Sequence, residues 1–160
     1  MNENIIEIHP IGEVIIDKNG YLLKIKSEYI SGLTEIEGFS YLQVFWWCHY
    51  NDNQSARSTL NCKTPYKAAP DNIGVFATRS PHRPNPIALT AVKVLVVDHE
   101  NGIIRVAYID AEKGTPIIDI KPYHPSCDRI RNVSVPDWCS SWPQWYEDSA
   151  TFDWGSVFRF

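Results

Sequence analysis

Short β-branched runs follow one another along this chain at intervals too small for a helix to intervene, and that spacing governs what it can fold into. Residues 5–8 and 11–16 are such runs, the second closed by Asp17-Lys18-Asn19-Gly20, a turn sequence. Tyr21, Leu23 and Ile25 then alternate on one face, and Ser27 to Gly38 holds Tyr29, Leu33 and Ile36 at the spacing of a helical turn or two. Tyr41 to Cys48 is nearly continuous apolar sequence, the signature of a strand buried on both faces. Asn51 to Asn72 is polar and reads as a long loop, and Gly74 to Thr78 as a short strand. Residues 87–98 form a long β-branched strand that His99-Glu100-Asn101-Gly102 turns into residues 103–109, and a last strand covers residues 115–120. About seven short strands joined by turns predict an all-β protein, a small antiparallel β-barrel or sandwich with little helix. No GxGxxG follows the first strand and strands do not alternate with helices, which excludes a dinucleotide-type doubly wound sheet.

With 160 residues the chain fits one domain, and 44% hydrophobic against 21% charged residues exclude general disorder. No run approaches the ~18 apolar residues of a membrane span. The first residues, Met-Asn-Glu-Asn-Ile, lack the basic stretch and apolar core of a signal peptide, so a cytoplasmic location without membrane contact is expected. Cys48, Cys62, Cys127 and Cys139 show no CxxC spacing and are expected to be free thiols. A net charge of −4 means that a polyanionic partner needs a local basic patch.

Two clusters carry chemistry. Arg79-Ser80-Pro81-His82-Arg83-Pro84-Asn85-Pro86 holds three prolines in six residues, which forbids helix and central strand and leaves a stiff, extended loop. Such a loop presents guanidinium groups suited to a carboxylate or phosphate; the alternative is that both arginines pair within the protein and fix the loop. The second cluster runs from Asp110 to Pro116 and on through Asp119 to Tyr123. Its carboxylates suit ribose hydroxyls or an ammonium group, and its Asp, Gly and Pro also suit plain turn chemistry.

Taken together, Gly74 to Ile87 and Gly114 to Tyr123 resemble the TsaA-like (TrmO) tRNA methyltransferases, as do Gly32-Leu33, Ile36 to Leu42 and Trp47 to His49, over about Ile8 to Pro125. The resemblance implies a TsaA-like β-barrel that binds S-adenosyl-L-methionine without a Rossmann fold and works as a homodimer with the cofactor near the interface. It implies methylation of the exocyclic amine of threonylcarbamoyladenosine beside the anticodon of tRNA. Carried over by motif, cofactor contacts fall on His49, Tyr50, Arg79, Leu89, Ile109, Asp110, Ala111 and Glu112, with Lys26 and Ser27 as a further region. Ala88 stands where the family usually has Gly. The extra C-terminal domain of longer bacterial members is not expected. Residues 1–135 are read as the barrel domain, and 136–160 as a Trp-rich tail packed on it rather than as a base-stacking surface.

An adenine amine is a weak nucleophile, and positioning supplies much of the rate, on the order of 7–11 kcal/mol for well-oriented pairs. Asp119, Asn85 and Tyr123 are the candidates for contact with the amine, and Arg83 and Lys121 for a phosphate or the threonyl carboxylate. Arg79, Arg83, Lys93, Lys121, Arg129 and Arg131 together would supply a basic groove at a dimer interface. Two other functions fit the same fold: methylation of a small molecule, and S-adenosylmethionine binding without transfer. A metal hydrolase on His49, His82 and His124 is disfavoured, because those residues lack metal-ligand spacing and no metal is expected.

Overall fold

Alternation of apolar side chains, with one face of each strand turned inward, closes the larger part of this chain into a barrel. A computed structural model describes residues 6–63 and 65–159. Among them the strands are β1 (Gly12–Asp17), β2 (Gly20–Ile25), β3 (Tyr41–Trp47), β4 (Asn61–Lys63), β5 (Asn72–Gly74), β6 (Ile87–Asp98), β7 (Ile103–Val106) and β8 (Pro116–Pro122). Six of these pair antiparallel in the order β1-β2-β7-β6-β3-β8, and β8 returns to β1 through Gly12 opposite Ile117, so no edge is left unpaired. Val14, Leu23, Leu42, Val44, Ile104 and Ile117 fill the interior and are fully buried. The expected all-β barrel with little helix is what is found.

Tight turns set the registers. Asp98 pairs with Ile103 across the Asn-Gly turn read from the sequence. The Asp98 carboxylate accepts from the Asn101 backbone N–H at 3.0 Å and from its amide at 2.8 Å, while Gly102 takes φ +61°, open to glycine at little cost. Gly12 answers a different demand: a Cβ there would lie 2.3 Å from the Lys24 carbonyl oxygen.

Chain contacts divide the molecule into two compact units. The first comprises the described part of Met1–Asp52 with Asn85–Arg129 and holds the barrel. The second comprises Asn53–Pro84 and the described residues from Ile130 on. It contains α1 (Gln54–Arg57), capped by the Asn53 side chain on the Ala56 N–H at 3.0 Å, and the antiparallel β4–β5 ribbon. Its centre is aromatic. Tyr66 stacks on Trp138 with centroids 5.2 Å apart and meets Trp142 edge-on at 5.0 Å, and Trp142 meets Trp154 at 5.5 Å. Within this unit the Trp-rich tail therefore has Tyr66 of the long insertion as its partner.

Several local readings change: the strand read at 103–109 ends at Val106, and the last strand runs Pro116–Pro122. Residues 6–8 form no strand, and Ile5 lies outside the described residues. The polar stretch read as a loop contains α1, β4 and the start of β5. The strand expected at Gly74 to Thr78 ends at Gly74 and becomes a 3-10 turn, Val75–Ala77. The Thr78 hydroxyl donates to the Val75 carbonyl at 2.8 Å, and this side-chain bond holds the turn in place of a ladder.

Candidate cofactor and substrate site

Along β3 the odd positions Tyr41, Gln43, Phe45 and Trp47 face away from the buried Leu42 and Val44. Phe45 lies between Leu89 on β6 and Asp119 on β8, and the β3–β8 register shifts just beyond it, between Phe45 and Trp46. Three sequence candidates, Leu89, Asp119 and Lys121, thus surround one aromatic side chain. The Asp119 carboxylate accepts from the Ile120 N–H at 2.9 Å and from Lys121 Nζ at 2.7 Å, and that ammonium stands 5.9 Å from the Phe45 ring centre. The Tyr123 N–H donates to the Tyr41 carbonyl at 3.0 Å, which continues the ladder and keeps Tyr123 beside the same sheet face.

The ends of β3 and β6 are tied together by the Cys48 N–H, which donates to the Pro86 carbonyl at 2.8 Å. That bond sets Asn85, whose carbonyl accepts from the Ile87 N–H at 2.7 Å, beside the turn that carries His49 and Tyr50. Their rings lie 3.9 Å apart, and Tyr50 is 70% exposed.

The loop between β7 and β8 divides its four candidates by depth. Ile109 is 1% exposed and belongs to the core, so only its main chain is available to a ligand. Ala111 packs against the core, whereas Asp110 and Glu112 are exposed, Asp110 accepting from the Tyr108 hydroxyl at 3.3 Å. The Glu112 carbonyl accepts from the Thr115 N–H at 3.2 Å, and the Gly114 N–H donates to the Val14 carbonyl at 2.7 Å, fixing the loop to β1.

Lys26 and Ser27 lie apart from these groups. They line an open groove of about 730 Å³ together with Gly12, Glu13, Lys24 and Gly114. Neither His49, Tyr50, Leu89 nor any of residues 109–112 lines it.

Arg79 and Arg83 belong to the second unit. One Arg83 guanidinium nitrogen donates to the Thr78 and Ser80 carbonyls at 3.3 and 3.4 Å, and the His82 N–H donates to the Ser80 hydroxyl at 3.2 Å. Arg83 thus supports the loop through carbonyl oxygens, which leave its charge uncancelled. Among the described residues no group of three or more His, Cys, Asp or Glu is placed to hold a metal ion, and no helix is long and apolar enough to cross a membrane.

Sequence reasoning missed Phe45, because an unbroken apolar run hides which face is outward. The single polar residue inside it, Gln43, was the available signal: it shares its face with Phe45.

The family model for the tRNA-methyltransferase O N-terminal domain matches residues 7–129. A "Probable S-adenosyl-L-methionine-binding protein" of Archaeoglobus fulgidus is 36% identical over 113 residues, covering 71% of this chain and 29% of that protein. The human tRNA (adenine(37)-N6)-methyltransferase is 39% identical over 104 residues, 65% of this chain and 22% of that protein. The crystal structure of TrmO from Pseudomonas aeruginosa has the same fold, with a TM-score of 0.64 at 22% identity over 86% of this chain and 63% of that one. The chain therefore spans less than two thirds of each of these proteins.

Proposed function

The chain belongs to the family of the tRNA-methyltransferase O N-terminal domain, and from that membership we propose that it binds S-adenosyl-L-methionine and methylates N6 of the (threonylcarbamoyl)adenosine beside the anticodon of a tRNA. The observation that carries the reading is the match itself, because residues 7–129 include every candidate cofactor and amine contact named above. The human relative's name, tRNA (adenine(37)-N6)-methyltransferase, supports the reaction, and the Archaeoglobus relative's name supports the cofactor.

The residues fit such a cofactor. Asp110 and Glu112 are exposed carboxylates on a fixed loop, and Tyr50 and His49 offer an aromatic surface at the end of β3. When bound, S-adenosylmethionine supplies a methyl carbon made electrophilic by its sulfonium. The part left to this chain would be to hold the N6 amine toward that methyl group and to take up the proton that N6 gives up. Asp119 suits orientation of the amine, since its carboxylate is itself held in place by the Lys121 ammonium and the Ile120 N–H. Asn85 and Tyr123 are the neutral groups available to hold the amine. Lys121 in the barrel unit carries the charge to grip the threonyl carboxylate or a phosphate, and Arg83, in its own unit, carries charge suited to a phosphate. We place the reaction in the cytoplasm and assign the working form to a homodimer.

The test is transfer of labelled methyl from S-adenosylmethionine to purified tRNA, followed by nucleoside mass spectrometry. The expected product is N6-methylated threonylcarbamoyladenosine, and a knockout strain should lack it. Transfer only to small molecules overturns the tRNA reading. Saturable cofactor binding without any transfer would support the second reading, a binding module, which the name of the Archaeoglobus relative favours.

A further inference from the structure

The net charge of −4 is unevenly spread. Residues 53–84 contain Arg57, Lys63, Lys67, Arg79 and Arg83 against the single acid Asp71, a net charge of +4, so the remainder of the chain carries −8. This segment belongs to the second unit, which also holds an unusual pair of apolar side chains. Phe76 is 78% exposed and Leu60 59% exposed, although an aromatic cluster that buries such groups exists in the same unit. The Val75 N–H donates to the Leu60 carbonyl at 2.9 Å, which brings both side chains to one end of the β4–β5 ribbon. On the ribbon, Cys62 and Ile73 turn inward, while Asn61, Lys63 and Asn72 are exposed, with Lys63 opposite Asn72. Two residues after Phe76 in the chain, the Thr78 carbonyl accepts from the Arg83 guanidinium. The Lys67 ammonium donates to the Gly155 carbonyl at 3.1 Å, which satisfies a hydrogen bond without neutralising the charge.

From these observations we infer that the β4–β5 ribbon with the Val75–Ala77 turn is the surface on which the RNA docks, Phe76 stacking on an unpaired base and Lys63, Lys67 and Arg83 meeting phosphates. The choice of RNA rests on the function proposed above; the choice of surface rests on charge and exposure. An exposed aromatic ring at one end of a ribbon that carries an exposed cation and exposed amides at its other residues matches an unstacked nucleotide, which offers a π face beside a negative backbone. An acidic protein would need the cations but not the lone ring, and a lipid surface would need more apolar area than Phe76 and Leu60 supply. The assignment also explains how an acidic chain can hold a polyanion: the cations are gathered in one segment.

The experiment measures anisotropy of a fluorescent anticodon stem-loop RNA against salt concentration for the parent, Phe76→Ala, Lys63→Ala and the double variant Lys63→Ala with Lys67→Ala. Phe76→Ala should bind about ten-fold more weakly with an unchanged salt slope, because stacking is not ionic. Lys63→Ala should lower the slope of log K against log salt by roughly 0.7, and the double variant by about twice that. A control pair on the barrel unit, Lys18→Ala with Lys113→Ala, should leave affinity within about two-fold and the slope unchanged. Thermal melts and cofactor calorimetry equal to the parent's certify each variant as folded. Parent-like affinity and slope in Phe76→Ala and Lys63→Ala, with the parent still binding RNA and methylating it, overturns this surface and leaves the proposed function standing. A parent that binds no RNA, or binds phosphatidylserine vesicles in its place, overturns both.

Discussion

Gly12 shows how one atom can decide whether the barrel closes. Its Cα faces the Lys24 carbonyl so closely that a Cβ would sit 2.3 Å from that oxygen, and the oxygen belongs to the backbone of β2, which cannot swing aside like a side chain. Gly12 also pairs with Ile117, so displacement of β1 disturbs the β1–β8 seam. Gly12→Ala should therefore destabilise the fold by about 1–3 kcal/mol, as overpacking generally does, and lower the melting temperature; a parent-like melt would show that β1 and β2 can separate locally. The cysteines give a second residue-scale expectation. All are free thiols, Cys127 exposed and Cys48 and Cys139 buried. Burial pushes the Cys139 thiol up from its ordinary value, which leaves less thiolate to react. Timed alkylation with iodoacetamide and peptide mass spectrometry should find Cys127 modified first and Cys139 among the last. Early loss of Cys139 would mean that the turn at Asp137–Cys139 opens readily.

At the scale of elements, the strands that turn back through glycine were the most legible. Asp17 to Gly20 and Asp98 to Gly102 announce their hairpins because a reversal needs particular backbone angles, and few residues take them. β3 was legible as a strand but not as a surface: its apolar outer residues mask the period of two, so Phe45 was lost among core residues. The ribbon and α1 were hidden because both are short and polar, and what holds the ribbon's unit together lies far along the chain. Tyr66 pairs with Phe158 as an isolated bridge and stacks on Trp138, separations that no local pattern can encode. Of the candidate site, the clustering of Asp119, Lys121 and Leu89 follows from register, which sequence does not display. The aromatic contacts predict that Tyr66→Ala removes the central ring of its cluster and costs its unit about 3 kcal/mol. Four of the six tryptophans, Trp138, Trp142, Trp145 and Trp154, lie in this unit, so tryptophan fluorescence reports chiefly on it. The fluorescence midpoint in urea should fall clearly in Tyr66→Ala. An unmoved midpoint would assign the cluster's stability to the tryptophans alone.

For the whole molecule, acid should be the weak side. Three carboxylates are held below the usual carboxylate range, each by hydrogen bonds that unfolding breaks. Asp17 is lowered chiefly by the Arg105 guanidinium, which reaches it at 3.3 Å, and then by the Asn19 N–H. Asp98 is lowered by the side chain and backbone of Asn101, and Glu37 by its own backbone N–H with a further contribution from His99. A group with a depressed folded pKa binds protons more readily once unfolded, so its stabilising effect is complete above the unfolded value near 4 and disappears as pH falls through the lower folded value. All three shifts have the same sign and therefore add: the denaturation midpoint should be level from about pH 8 to pH 5 and then decline steadily below pH 4. None of these groups is buried, so every individual share is small and the sum is spread over several turns rather than concentrated at one site. Asp98→Asn tests the assignment, because it keeps the side chain's size while removing the charge that Asn101 stabilises. The variant should be less stable than the parent at pH 7, and the two should converge as the pH falls through the lowered pKa of the folded-state Asp98 and the parent's carboxyl becomes protonated as well. A difference that persists unchanged at the acid end would mean that the Asp98 turn acts through shape alone, and that the acid lability arises elsewhere.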